Sequence, residues 1–168
     1  MNKTRVYIST LCVIMATSCE TGPRRRVVDG RVIPSYPRWR YMPTTADIGV
    51  QNFKETRVYV SVDDSSDSRL YYHIFFPTGQ TVGFGEYGDK TRPRVRFEYL
   101  RNGTVGYYQL DPSRNRLYLE WFGYDAGRWA WRYWRREYEY SDQYIRSVSE
   151  GWRAVRIQDA EVLAKPDW

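Results

Sequence analysis

Trp129, Trp131 and Tyr133 recur at every second position of the stretch RWAWRYWRREYEY, residues 128–140. Alternate residues of an extended strand share a face, so these three rings line one side while Arg132, Trp134 and Arg136 line the other. Rings on one strand face repeat at about 6–7 Å, close to the size of a sugar ring or an acyl segment, and a neighbouring guanidinium can meet an anionic group. The same pattern also serves a structural ladder in which Trp and Arg stack on each other. Both readings stay open, and Trp129, Trp131 and Tyr133 stand as the candidate ligand-binding residues.

Residues suited to catalysis or metal binding are sparse. His73 is the single histidine. It lies among Tyr71, Tyr72, Phe75 and Phe76 with no second ligand set and no glycine-rich nucleophile elbow, so it reads as a packed or surface residue. Asp63, Asp64 and Asp67 are crowded but lack the glycine and the distant glutamate of a calcium loop, which makes a solvated hairpin tip the better reading. Glu98, Glu120, Glu137 and Glu139 are scattered acid or base candidates with no nucleophile marked beside them. The sequence therefore predicts a protein that is not an enzyme, with no catalytic residues, no metal site and no cofactor.

The net charge is +6, carried almost entirely by arginine, which forks onto carboxylates or phosphates and stacks on rings. Anionic lipid or glycan becomes a plausible partner. No long basic run points to nucleic acid, and pairing of Arg with Glu and Asp on a wet strand face explains the same residues. Both cysteines, Cys12 and Cys19, fall in the first twenty residues, so the remaining chain can form neither a disulfide nor a thiolate metal site.

The amino-terminal residues carry an address. Lys3 and Arg5 precede an apolar run, Val6–Thr17, too short to span a bilayer, which needs about 20 apolar residues. The run ends in Ala16-Thr17-Ser18-Cys19, and this resembles the lipobox of bacterial lipoproteins, with Ala16 standing where that family usually has Leu. The resemblance implies a signal peptide over 1–18, lipidation of Cys19 and attachment to the membrane through the lipid anchor. Glu20, where an Asp would imply retention in the inner membrane, implies the outer membrane of the cell envelope. Cys12 follows Leu11, which is too large for the cleavage pocket such signals require.

Residues 19–52 hold Pro23, Pro34, Pro37 and Pro43 together with Arg24-Arg25-Arg26, and they read as an extended tether that holds the domain off the headgroups. Ile33, Tyr36, Trp39 and Tyr41 are apolar enough to pack along that domain. Residues 53–168 form a single β domain. Strand runs separated by turn residues appear at Arg57–Val62, Arg69–Phe76, Thr81–Tyr87, Arg94–Leu100, Thr104–Leu110, Arg116–Phe122, Arg128–Tyr140, Tyr144–Ser149 and Trp152–Ile157, and Glu161–Leu163 extends the last. Asn102-Gly103 predicts a hairpin between the fourth and fifth of these, and Asp111-Pro112-Ser113 one between the fifth and sixth. The aromatic content of 17% suits half-buried pleated surfaces.

About eight strands in a meander is the number at which a sheet closes and removes its edges. The predicted fold is all-β, an antiparallel meander closing into a barrel or half-barrel, with a two-sheet β-sandwich as the alternative. The rhythm, with Gly106-Tyr107-Tyr108 followed by RLYLEW, resembles small lipocalin-like lipoproteins in architecture. Two functions follow. One is an envelope-anchored, non-enzymatic lipoprotein whose β domain binds a small apolar or glycan ligand in the barrel mouth. The other is a structural or interaction lipoprotein that engages an envelope component through an Arg- and aromatic-rich surface and has no cavity.

Overall fold

The computed structural model describes residues 25–28, 31–34, 39–43, 50–62, 68–98, 103–125 and 130–166, with the backbone alone for 25–28, 31–34, 125, 130 and 131. Among them there is no helix. Twelve strands run in order: β1 Arg25–Val28, β2 Arg31–Pro34, β3 Arg57–Val62, β4 Arg69–Phe75, β5 Gln80–Tyr87, β6 Arg96–Phe97, β7 Thr104–Asp111, β8 Arg116–Asp125, β9 Ala130–Tyr140, β10 Tyr144–Ser147, β11 Arg153–Arg156 and β12 Glu161–Val162. Eight of them close a barrel in the order β10-β11-β3-β4-β5-β7-β8-β9, and β9 pairs back onto β10. Every pairing within it is antiparallel. The barrel expected from the sequence is thus formed, and the sandwich is not.

Register separates the two faces of the wall. Tyr59 opposes His73, Tyr108 opposes Leu119, Leu117 opposes Tyr138 and Ile145 opposes Ala154. All of these but His73 belong to one buried hydrophobic cluster that also takes in Phe75, Leu110 and Trp121. A cluster drawing on strands all around the barrel occupies its lumen, as the size of an eight-stranded barrel allows. Phe53, just before β3, closes one end of it, with its ring 5.5 Å from Tyr108 and 5.8 Å from Phe75.

The outer wall is also dry over part of its surface. Val58, Val60, Tyr72, Ile74 and Val82 face outward and are covered by Phe97 and by the chain from Ile157 to Ala164. On the other side, Trp39 lies edge-on against Tyr107 at 5.3 Å and Tyr133 at 4.9 Å, over Phe122. Residues 39–43 and 50–52, which the sequence assigns to the tether, therefore pack on the barrel, and upstream of them β1 and β2 pair antiparallel.

Two pairings differ from the sequence expectation. The Arg94–Leu100 run does not form a barrel strand: β5 pairs directly with β7, and the short β6 pairs in parallel with β12 outside the barrel. The segment alternates Arg94, Arg96 and Glu98 with apolar residues and can bury one face. The place between β5 and β8 is buried on both faces, and β7 fits it with Val105 and Tyr107 outward and Tyr108 and Leu110 inward. Glu161–Leu163 likewise does not extend β11; its backbone instead bonds that of Val95 and Phe97.

Candidate functional site

The lumen is filled at the Phe53 end and opens at the other. There the described residues line a cleft of about 850 Å³ that includes Ser61, Tyr71, His73, Trp121, Trp134, Arg136, Tyr138 and Trp152. The opening continues sideways, because β11 meets β3 only through Val155 with Val60 and Arg156 with Tyr59. Beyond Val60 the wall of β3 is free to border the cleft with Ser61 and Val62.

A stack of three rings forms the floor. His73 lies nearly parallel to Trp121, with centroids 5.4 Å apart and planes at 11°, and to Trp152 at 5.1 Å and 15°. Trp121 is seated by Gly106. A Cβ there would stand 1.8 Å from the Glu120 carbonyl oxygen and 2.9 Å from Trp121 Cδ1, so only glycine allows both the strand approach and the ring position. Trp152 is placed by the turn from Ser147 to Arg153. Gly151 has φ +76°, a left-handed conformation that costs other residues more, and Ser147 N–H donates to the Trp152 carbonyl at 2.9 Å.

Glu150 ties this turn to β9. Its carboxylate accepts the Trp152 indole N–H at 2.9 Å and pairs with Arg136 at 2.9 Å. The pair is half-exposed at the cleft rim, where solvent screening holds its worth to about 0–1 kcal/mol, so its main effect is to fix the orientation of Trp152 and Arg136. Deeper in, His73 is 6% and Trp121 8% exposed. His73 Nδ1 and Trp121 Nε1 are buried and find no hydrogen-bond partner among the described residues. Burial pushes the imidazole pKa down to about 4, so the ring is neutral at pH 7 and offers one donor and one acceptor nitrogen.

Of the residues singled out in the sequence, Cys19, Trp129 and the acidic run Asp63, Asp64 and Asp67 lie outside the described residues. Trp131 belongs to β9, opposite Tyr124. Tyr133 opposes Phe122 and is half-buried on the outer wall beneath Trp39, so it is not part of the cleft. The residues on the other face of β9, Trp134 and Arg136, reach it instead. His73 is packed, as expected.

The four glutamates do not converge. Glu120 is buried on the outer wall, bound to Arg135 at 2.8 Å and to the Arg40 backbone N–H. Glu137 and Glu139 each pair with Arg116 at 3.0 Å, and Glu98 meets Arg96 at 3.4 Å. Hydrogen bonds from Arg116 and then Arg146 hold the Glu139 carboxyl below the usual carboxylate range. Arginine on the outer face is thus paired with acidic neighbours, and no group of three or more His, Cys, Asp or Glu among the described residues could hold a metal ion.

Trp121 and Trp152 carried no signal of their own in the sequence. Trp121 shares a strand face with Leu117 and Leu119, which marks it as core, and what exposes it to a cleft is its place at the open end of that face. Comparison with protein-family models, curated proteins and solved structures gives no match.

Proposed function

We propose that the chain is an envelope lipoprotein, anchored through Cys19 and oriented to the outer membrane, whose barrel binds a small ligand at its open end without transforming it. The observation that carries the binding reading is the cleft of about 850 Å³ walled by Tyr71, Trp121, Trp134 and Trp152. Concave, mostly aromatic surfaces with a few convergent polar atoms are the usual form of small-molecule sites. The paired, dispersed carboxylates favour binding over acid–base chemistry, since general catalysis needs groups within reach of one reacting atom.

The anchor reading rests on the Lys3 and Arg5 region, the apolar run and Ala16-Thr17-Ser18-Cys19. Two measurements test the two halves. Metabolic labelling with a fatty-acid analogue marks the wild type and not Cys19→Ala; equal labelling and membrane attachment of the variant refutes the anchor. Titration calorimetry of the full chain with small saccharides and with palmitate shows saturable heat that Trp134→Ala abolishes; heat unchanged in that variant removes the cleft as the site.

A further inference from the structure

We infer that the open end of the barrel lies against the lipid surface that holds the chain, with Val62, Tyr87 and Tyr124 of its rim among the headgroups. This rests on the reading of Cys19 as a lipid anchor and adds which way the barrel faces.

The path of the chain into the domain carries the inference. Residues 39–41 follow the outer wall of β8 step by step. Trp39 lies over Phe122, the Arg40 N–H donates to the Glu120 carboxylate, and Tyr41 stacks on Tyr118 at 6.0 Å. These contacts move along β8 toward Arg116, and farther on the Leu110 N–H donates to the Gln51 carbonyl before Phe53 caps the lumen. The chain therefore arrives at the Tyr124 end of β8, which is the open end, and reaches the closed end last. Burial of Trp39 and the bond to Glu120 fix that direction.

Reach adds to direction. Arg25 stands opposite Pro34, so the pairing of β1 with β2 returns the chain to where it began. The connection from Cys19 to Trp39 is left with the steps 19–25 and 34–39, which span at most about 40 Å when fully extended. An anchor on so short a lead draws toward the membrane the end at which Trp39 enters.

The two ends differ as this orientation requires. Val62, Tyr87 and Tyr124 stand at the ends of β3, β5 and β8, and all three are exposed. Arg69 lies over the Tyr87 ring at 5.0 Å and donates to its hydroxyl at 2.5 Å. Tyrosine at headgroup level with arginine beside lipid phosphates is the pattern of a membrane interface. The closed end is instead ringed by ion pairs, Arg57 with Asp142, Arg156 with Glu55 and Arg116 with Glu139. Docking that end would strip water from these charges. Met42 and Val50, also exposed, sit among Gln51, Gln109 and Asp111. The connection from β3 to β4 carries Asp63, Asp64 and Asp67, so the rim is no basic patch, and its apolar side chains rather than net charge hold it to lipid. Val62 also lines the cleft, so a ligand reaches the cleft along the bilayer surface.

The full chain carrying Val62→Cys, Tyr124→Cys or, at the exposed closed-end position, Lys54→Cys tests this. Once Cys19 is lipidated and the leader removed, each variant has one free thiol. That thiol is labelled with bimane, and the protein is reconstituted into phosphatidylcholine vesicles bearing a nitroxide on the headgroup. The labels at positions 62 and 124 are expected to lose most of their fluorescence and the label at 54 to keep it, in variants that melt like the wild type. Quenching that is greater at 54, equal at all three positions, or absent from all three in vesicle-bound protein overturns the inference and leaves the anchor in place. Protein that does not stay with the vesicles overturns the anchor reading and the inference together.

Discussion

At the closed end of the lumen Tyr108 has its hydroxyl fully answered: it accepts from Phe53 N–H at 3.0 Å and donates to the Phe76 carbonyl at 2.8 Å. At the open end Trp121 and His73 are almost as deeply buried, yet Nε1 and Nδ1 have no such partners. Aromatic rings fill both ends of one barrel, with phenylalanine at the closed end and tryptophan at the open one. The closed end is capped by Phe53, where Asn52 Nδ2 also lacks a partner among the described residues, and the open end borders a cleft. Burial alone therefore does not distinguish core from site in this molecule. Space does: Phe53 fills the closed end, whereas Trp121, Trp134 and Trp152 border the cleft.

If the closed end is the stabilising half, the largest effect belongs there. Phe75→Ala is expected to lower the unfolding free energy by about 3–5 kcal/mol, measured by urea denaturation, since it empties a fully buried position touching Phe53, Tyr59 and Tyr108. The open end contributes through acid. With the His73 pKa near 4 when folded and about 6.5 when unfolded, the unfolded chain binds the extra proton between those values. Stability is full above pH 6.5, falls as pH drops through that window, and loses about 3 kcal/mol by pH 4. Melting profiles of His73→Phe should lack this loss, and an unchanged acid profile would show that His73 charges freely in the folded barrel.

Tyr108→Phe sharpens the contrast with a smaller change. It leaves the buried Phe53 N–H without its acceptor and is expected to cost about 1–3 kcal/mol, again read by urea denaturation. A cost near zero would mean that the closed end relaxes to satisfy the amide in another way.

Much of this architecture was legible in the sequence, for identifiable reasons. The β4–β5 hairpin follows from Pro77-Thr78-Gly79, where Gly79 takes φ +81° and its N–H bonds the Phe76 carbonyl at 3.0 Å. Alternation along Arg116–Phe122 places Leu117, Leu119 and Trp121 on one face, and all three belong to the buried cluster of the lumen. What alternation cannot fix is which parity points inward. On β9 the sequence singles out the Trp129, Trp131 and Tyr133 set, whereas the pairing of Trp134 with Trp121 and of Tyr133 with Phe122 turns Trp134 inward and Tyr133 outward. The Asn102-Gly103 hairpin failed for a non-local reason: a place in the sheet with two dry faces selected β7 over the amphipathic Arg94–Glu98 segment. The stack of His73 between Trp121 and Trp152 joins residues 48 and 79 positions apart, a contact that only closure of the barrel creates.

Trp134→Ala tests the division of the lumen most directly, because Trp134 is a half-buried ring of the open end on a strand whose inward Tyr138 belongs to the core. Thermal melting and saccharide titration on the same preparation give the answer. The account predicts a stability loss of about 1 kcal/mol or less together with loss of binding. Destabilisation on the scale of Phe75→Ala, or unaltered binding in a variant that melts like the wild type, would contradict it.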